Sequence, residues 1–264
     1  MSKRAPSPAR PPILLLLAAL GTALFVLPLV GLLTRTPWSR LGELLGSRVV
    51  LDALWISLVT SIAAAAISIL LGVPLAWVLS RTDLPGRRVV RAIVTLPMVL
   101  PPVVGGAALL FALGRRGLVG EPLESAIGLV LPFSIWGVII ANVFVAMPFV
   151  VVTVEGALRA SNVRFEDAAR SLGASPLTVF RRVTLPAIRP SLVAGGVLAW
   201  ARALGEFGAT ITFAGNLQGR TQTLPLAVFV ALESDRDLAV AISLLMVVIS
   251  LLILLGLRDR WWRS

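Results

Sequence analysis

Residues 53–80 read ALWISLVTSIAAAAISILLGVPLAWVLS and contain no aspartate, glutamate, lysine or arginine. A helix that crosses the hydrocarbon core of a bilayer needs about 20 consecutive, predominantly apolar residues, so this stretch is long enough to span a membrane. Four other stretches of at least 20 residues also lack these charges: 11–34, 92–114, 125–154 and 238–257. Because the bilayer core holds no water, each stretch must satisfy its own backbone hydrogen bonds, and the sequence predicts an all-α integral membrane protein.

The composition of the whole chain agrees with a membrane location. Of the 264 residues, 57% are hydrophobic and only 14% are charged, whereas soluble domains carry roughly 25% charged residues. A sixth apolar segment, at about 191–214, contains two charges, Arg202 and Glu206. We therefore predict about six transmembrane helices, at approximately these positions: 13–34, 51–79, 89–113, 128–155, 191–214 and 238–257.

The distribution of basic residues predicts the orientation of the chain. The net charge is +11, and most of the 24 lysines and arginines lie in four segments: 1–12, 80–91, 156–190 and 258–264. If the N-terminus is inside, these segments are cytoplasmic, as the positive-inside rule requires. We expect a multi-pass protein surrounded by the lipid of a bacterial or archaeal plasma (inner) membrane, with both termini in the cytoplasm. Residues 1–12 would form a cytoplasmic tail, and residues 13–264 a single transmembrane domain.

The positive charge and the apolar N-terminus each suggest an alternative that the sequence argues against. Basic residues are spread over four loops instead of forming one patch, so we expect no nucleic-acid partner. The apolar run from Ile13 to Leu33 is too long for the core of a signal peptide, and no A-x-A-like cleavage site follows it. We therefore expect an uncleaved first span.

Several residue types are missing, and their absence limits the chemistry of the chain. There is no histidine, cysteine or tyrosine, which excludes metal sites built on histidine or cysteine and catalysis by a thiol. Lys3 is the only lysine, so the chain has no P-loop with its phosphate-binding lysine. We expect no catalytic residue, no metal site and no bound cofactor, and any ATP that drives this protein must be hydrolysed by another chain.

Residues 156–190, here called the elbow, form the longest predicted cytoplasmic segment, and their sequence indicates two short helices. Ser161-Asn162 can cap a first helix, and Gly173 suits a left-handed stop at its end. Ser175-Pro176 has the residue types preferred at the N-cap and the first position of a second helix. We expect this second helix to end near Leu185-Pro186.

The elbow pattern alone allows two interpretations. Small residues permit the backbone of a partner protein to approach closely, and they are Ala168, Ala169, Gly173 and Ala174. The alternative is a helix pair that lies on anionic lipid, held there by Arg170, Arg181 and Arg182. Physical reasoning from the residues favours neither interpretation.

The elbow also resembles the EAA signature of permease subunits in ABC importers. That signature is Glu-Ala-Ala, three residues, Gly, nine residues and Ile-x-Leu-Pro, and both spacings match Asp167-Ala168-Ala169, Gly173 and Val183-Thr184-Leu185-Pro186. Asp167 replaces the usual Glu, Val183 replaces the usual Ile, and the adjacent Glu166 leaves open which acid faces the partner. The resemblance implies docking into a groove on an ATP-hydrolysing subunit through these residues: Glu166, Asp167, Ala168, Ala169, Gly173, Leu185 and Pro186.

Two further stretches are similar to molybdate permeases of this family: LPMVLPPVVGGAALL at 96–110, and ARALGEFGATITFAGN at 201–216 followed by GRTQTLPLAV. The resemblance covers nearly everything from about residue 50 to the end. It implies the type I ABC importer permease fold. It also implies an importer made of two copies of this chain, two ATPase subunits that bind ATP–Mg, and an outer substrate-binding protein.

The implied substrate is molybdate, and sulfate or tungstate are the alternatives. The three anions share a tetrahedral shape and charge, and sulfate permeases have a similar Ala-Arg-Ala-x-Gly-Glu core. A secondary transporter coupled to an ion gradient is the alternative from a different class. Acids that could relay protons are nearly absent from the predicted spans, with Glu206 as the main candidate, so we expect ATP to be the driving force.

Two charged residues are candidates for the translocation path. Arg202 and Glu206 are spaced i,i+4 and would share one helix face at about mid-depth in the bilayer, where an unpaired charge is costly. Either Arg202 attracts the anion while Glu206 tunes this attraction, or the two residues form a structural ion pair.

Prolines and threonines supply the other candidates for the path or its gate. Pro97, Pro101 and Pro102 would kink the third span, either as a gate hinge or simply as a bend that packs. Thr210 and Thr212 carry the hydroxyl donors that an anion path needs, although threonine hydroxyls also bond to their own helix backbone.

Overall fold

The structure is a computed structural model that describes residues 11–261. The predicted cytoplasmic segments 1–12 and 258–264 fall partly on residues 1–10 and 262–264, outside the described residues. The described range forms these helices: α1 (Pro12–Arg35), α2 (Leu41–Leu45), α3 (Arg48–Arg81), α4 (Arg87–Thr95), α5 (Pro102–Leu113), α6 (Gly120–Ile127), α7 (Ile135–Ala160), α8 (Arg164–Ser171), α9 (Pro176–Val179), α10 (Leu185–Leu204), α11 (Gly208–Phe213), α12 (Leu224–Ser234) and α13 (Arg236–Trp261).

The prediction of an all-α protein with about six spans is confirmed. Within residues 11–261, five continuous helices are long and apolar enough to cross a membrane: Pro12–Arg35, Arg48–Arg81, Ile135–Ala160, Pro176–Leu204 and Arg236–Gly256. A pair of helices that meet at a bend is the sixth candidate, either as a broken span or as a re-entrant segment.

Helices α3, α7 and α10 pack together and form the main core. Its buried side chains are small or branched apolar residues such as Ala64, Val150 and Ala199. The first span, α1, has no buried residue, and its main neighbour among the described helices is α13. A helix that is apolar all round and exposed on all sides suits a lipid environment.

The third predicted span, 89–113, is a pair of helices, and the bend that its prolines predicted is larger than a kink in one helix. α4 continues through the 3₁₀ turn Leu96–Met98, and this segment meets α5 at an angle of 117°. Two consecutive prolines explain the break, because proline lacks a backbone N–H and disfavours helical conformation in the residue before it. Pro101 is extended (φ −53°, ψ 129°), and Pro102 starts α5 as a fresh helix.

The fifth span starts earlier than predicted, at Pro176 instead of near residue 191. The second elbow helix does not end near Leu185-Pro186, because α9 runs through a π-helical turn, Phe180–Thr184, into α10. A proline ring clashes with the carbonyl four residues before it in a regular α-helix. The wider i→i+5 spacing of a π turn relieves this clash, so the helix accommodates Pro186.

The same span also ends earlier than predicted, at Leu204 instead of near residue 214. Gly205, Glu206 and Phe207 leave the helical path, and the short helix α11 follows. The membrane part of the chain therefore contains two breaks, one before α5 and one before α11.

Candidate functional site

The middle of the elbow contains α8 and α9, which are joined through a glycine in the left-handed conformation. At the start of α8, Asn162 Oδ1 accepts the backbone N–H of Arg164 at 3.1 Å. Beyond its end, Gly173 has φ +83°, as its place in the sequence predicted. Ser175 caps α9 by accepting the N–H of Thr178 at 3.3 Å, with a proline in the first helical position. The predicted turn at Gly173 and the cap of α9 are confirmed, whereas the N-cap of α8 is Val163, which makes no side-chain capping bond, and Ser161 bonds to α7 instead.

α8 buries a charged residue and exposes its large apolar residues, which is the reverse of an ordinary surface helix. Its one buried residue is Glu166, which is 3% exposed. Its large apolar neighbours face outward: Phe165 and Leu172 are 68% and 89% exposed, and Leu177 on α9 is 63% exposed. We call Phe165, Leu172 and Leu177 the elbow patch. Outside the spans, an exposed apolar patch of this kind is typical of a surface that contacts a protein partner or a membrane.

The buried carboxylate of Glu166 is held by an arginine from a transmembrane helix. Arg81, the last residue of α3, donates to Glu166 Oε1 from Nη2 at 3.0 Å and from Nε at 3.3 Å. The same Nη2 donates to Ser161 Oγ at 2.7 Å, at the end of α7. The side chain of Arg81 is only 10% exposed. Sequence reasoning missed Arg81, because its partner lies far away in the chain.

The two neighbouring acids of the elbow therefore point in opposite directions. Asp167 is exposed, at 62% of its side chain, and pairs with Arg170 at 2.9 Å, whereas Glu166 faces the bundle and also accepts from Arg170 Nη2 at 3.5 Å. Of the other residues that the EAA resemblance singled out, Ala168, Gly173 and Pro186 are exposed, and Ala169 and Leu185 are half-buried.

A second cluster of charges fixes the start of the broken third span. Glu155, near the end of α7, is buried and accepts hydrogen bonds from Arg91 Nη2 at 2.6 Å and from Arg159 Nη2 at 2.7 Å. Arg91 lies on α4, so this pair ties α4 to α7. Sequence reasoning also missed this cluster. Glu155 directly follows the longest charge-free stretch, 125–154, and this position at the end of a span could have indicated a paired acid.

α5 crosses α11 at a distance that only glycine permits. A Cβ atom on Gly106 would lie 2.7 Å from Thr212 Cβ and 2.8 Å from the carbonyl oxygen of Ala209. A Cβ atom on Gly208 would lie 2.6 Å from Cβ of Pro102. The two helix breaks are therefore side by side. Pro102 and Thr212, which the sequence placed in two separate groups of candidates, both lie at this crossing.

Replacing Gly106 by alanine is expected to destabilise the chain and to reduce its activity, because the added methyl group meets backbone atoms that cannot move aside. Overpacking of this kind costs about 1–3 kcal/mol. Thermal unfolding in detergent measures the loss, and Gly31→Ala is the matched control, since no atom lies within 4 Å of the site on α1. An alanine variant as stable as this control would contradict the close crossing.

Arg202 and Glu206 form the predicted ion pair, with Arg202 Nη1 2.5 Å from Glu206 Oε2. Glu206 lies just beyond the end of α10 and not inside a continued helix, and its other oxygen accepts the N–H of Ala209 at 2.6 Å. The side chain of Glu206 is 1% exposed and that of Arg202 is 30% exposed. Both carboxylate oxygens are engaged within the chain, which supports the structural interpretation of this pair.

The two candidate threonines differ in their hydrogen bonding. Thr212 Oγ1 donates to the carbonyl oxygen of Gly208 at 2.8 Å, so it satisfies its own helix. Thr210 is fully buried, and within residues 11–256 its hydroxyl has no hydrogen-bond partner. Among the candidate prolines, Pro97 is half-buried, and Pro101 and Pro102 are exposed.

An apolar groove of about 410 Å³ lies beside Phe207, between α12 and α13. Apart from Ser243, its lining side chains are apolar and include Phe229 and Met246. A doubly charged oxyanion would lose its hydration there without gaining donors, so this groove does not suit such a ligand.

Comparison with known proteins gives one family and two groups of relatives. The sequence profile of the family described as "Binding-protein-dependent transport system inner membrane component" matches residues 68–263. The chain is 46% identical over 243 residues to the molybdenum transport system permease protein ModB of Mycobacterium tuberculosis, covering 92% of each protein. It is 37% identical over 237 residues to the sulfate transport system permease protein CysT of Synechococcus elongatus, covering 88% of this chain and 85% of that protein.

The fold is also similar to a solved structure, the crystal structure of a bacterial ABC transporter involved in the import of the acidic polysaccharide alginate. The TM-score is 0.70, and the match covers 95% of both chains at 22% sequence identity. At this identity the likeness shows a common fold alone.

Proposed function

Because the chain belongs to the family of binding-protein-dependent transport system inner membrane components, we propose that it is the membrane-spanning permease subunit of an ATP-driven molybdate importer. The observation that carries the proposal is the 46% identity with a molybdenum transport permease, which extends over 92% of both proteins. Identity with a sulfate permease is lower, at 37%, and sulfate or tungstate transport is the alternative.

The chain supplies the passage, and a partner subunit supplies the energy. The single lysine, Lys3, cannot form a P-loop, so ATP–Mg would be bound and hydrolysed by an ABC ATPase subunit. The elbow is the surface proposed to dock this subunit. The match of the elbow to the EAA spacing favours a protein partner over lipid for this exposed apolar patch.

A second copy of the chain would complete the passage. The connection between α4 and α5 is not helical at Val99, which is 85% exposed in the single chain. Irregular backbone at membrane depth is tolerated only where protein covers it or where it lines a water-filled cavity. This supports a homodimer in which the break before α5 faces the other copy or the path between them.

The junction of α5 and α11 is the proposed gate of this path, with Pro97, Pro101, Pro102 and Thr212 around it. Thr210 and the pair of Arg202 and Glu206 lie on or next to α11. In this proposal Glu206 fixes the start of α11 and neutralises Arg202. The passing dianion then meets neither an unpaired positive charge, which would bind it too tightly, nor an unpaired negative charge, which would repel it.

The positive-inside distribution supports the orientation proposed for this multi-pass membrane protein, with both termini in the cytoplasm of a bacterial or archaeal cell. The elbow is then cytoplasmic, where ATP is available. The opposite ends of the spans would receive the anion from an outer substrate-binding protein.

Uptake of labelled molybdate tests the proposed substrate. Cells that lack their own molybdate and sulfate importers would express this chain with its ATPase and binding protein, and unlabelled sulfate and tungstate would serve as competitors. We expect uptake that resists excess sulfate. Uptake suppressed by equimolar sulfate would move the assignment to the sulfate branch, and cells without the binding protein provide the control.

A further inference from the structure

One guanidinium group joins three elements at the cytoplasmic end of the bundle. Arg81 is the last residue of α3, Ser161 follows the last residue of α7, and Glu166 is the buried residue of α8. Ser161 Oγ itself donates to the carbonyl oxygen of Leu158 in α7, at 2.8 Å. A continuous series of hydrogen bonds therefore links α8 to the transmembrane helices α3 and α7.

The apolar residues of α8 do not attach it to the bundle. Phe165 and Leu172 face outward, and Glu166 is the residue that α8 buries. On the C-terminal side, α8 is followed by the left-handed Gly173, where an added Cβ would meet no atom within 4 Å beyond the neighbouring residues. α8 also packs against α9 and the π turn, but the hydrogen bonds that tie it to α3 are those of one buried carboxylate.

We infer that Arg81, Glu166 and Ser161 form a latch that fixes the docking elbow to α3 and α7 and so passes movement of the ATPase to the transmembrane helices. The inference rests on the proposed function, because the elbow must dock an ATPase for the latch to act. It assigns Glu166 a positioning role inside the chain and leaves the outward contact to Asp167.

The chemistry of the latch suits the transmission of movement. Apolar surfaces can slide past each other, whereas the planar guanidinium fixes both the distance and the direction of its partners. Burial also makes the loss of either partner costly, since the remaining charge inside the protein then lacks its partner. The nearby pair of Arg87 and Asp83 lacks these properties, because its side chains are 48% and 104% exposed.

The latch is tested on the complete importer, purified with its ATPase and reconstituted in liposomes. The measured quantities are co-purification of the ATPase and stimulation of ATP hydrolysis by the anion-loaded binding protein. Glu166→Gln keeps an acceptor oxygen but leaves Arg81 without its charged partner, so it is expected to keep the ATPase in the complex and to reduce this stimulation about fivefold or more, the lower end of typical coupling effects. Arg87→Met is the control from the same cytoplasmic loop and should keep the stimulation.

A double variant separates positioning from simple stability. Arg81→Met with Glu166→Leu removes both charges, so the folded chain should regain thermal stability relative to Glu166→Gln. Stimulation is nevertheless expected to stay low, because the directional contact is absent. Recovery of stimulation along with stability would overturn the latch, as would loss of the ATPase from Glu166→Gln.

Failure of the proposed function gives a different result. If wild-type liposomes hydrolyse ATP in response to the binding protein but move no molybdate, the assigned anion is wrong, and the latch is still decided by the stimulation. If the wild-type chain captures no ATPase, both the proposed function and the latch are refuted.

Discussion

Replacing Gly173 by arginine is expected to release the ATPase from the importer and to abolish ATP-driven uptake, while the chain still inserts into the membrane. Gly173 lies in the middle of the elbow with φ +83°, and no other atom of the described chain lies within 4 Å of the position a Cβ would take. The space beside it is therefore free for a partner. A long charged side chain would occupy this space and would prevent close approach of the ATPase.

The matched control for this variant is Gly86→Arg. Gly86 also has a left-handed backbone, with φ +77°, and also has nothing within 4 Å, but it lies in the loop between α3 and α4. Both substitutions carry a similar backbone penalty of roughly 1–2 kcal/mol, so the difference between them reports on docking. Co-purification of the ATPase measures it, and an ATPase that remains bound to the Gly173→Arg chain would exclude docking at this glycine.

The second large effect is expected at the ion pair that closes α10. Arg202→Ala leaves the carboxylate of Glu206, whose side chain is 1% exposed, without its cationic partner. Breaking a buried pair on one side costs about 3–5 kcal/mol, and we expect a loss near the lower limit because Ala209 still donates to Glu206. The free energy of unfolding in mixed micelles measures this loss.

Adding Glu206→Gln to Arg202→Ala should restore part of the lost stability. Glutamine keeps an acceptor for the Ala209 N–H and removes the stranded charge, so the double variant is expected to be more stable than the single one. Equal stability of the two variants would show that Arg202 and Glu206 do not act as a pair.

The spans themselves could be predicted from the sequence because charge is expensive in lipid and leaves a clear gap in the chain. Arg48–Arg81 and Pro12–Arg35 therefore fall close to the predicted limits. The limits of the fifth span could not be predicted. Pro186 has the sequence features of a helix end, but tertiary packing and a π turn carry the helix through it.

The prolines of the third span indicated a bend but not its size. A single proline kinks a helix, whereas the consecutive pair at Pro101-Pro102 ends one helix and starts another at 117°. The crossing of α5 with α11 depends on this angle, so the contact of Gly106 with Thr212 could not be derived from spacing alone.

For the elbow, the residue types predicted the turn at Gly173 and the cap of α9, but not which way α8 faces. A helix with Phe165 and Leu172 is ordinarily expected to bury them, and the structure buries Glu166 instead. The reason is a contact between residues far apart in the chain, since Arg81 reaches Glu166 from the end of α3. Long-range ion pairs leave no periodic signal in a single sequence.

Transport by the purified importer tests the central claim most directly. Liposomes containing this chain with its ATPase would enclose ATP, and labelled molybdate with its binding protein would be added outside while ionophores dissipate every ion gradient. The account predicts molybdate accumulation that requires ATP and persists without a gradient. Accumulation that needs no ATP and disappears when the gradient is dissipated would contradict it, and would identify a gradient-driven carrier.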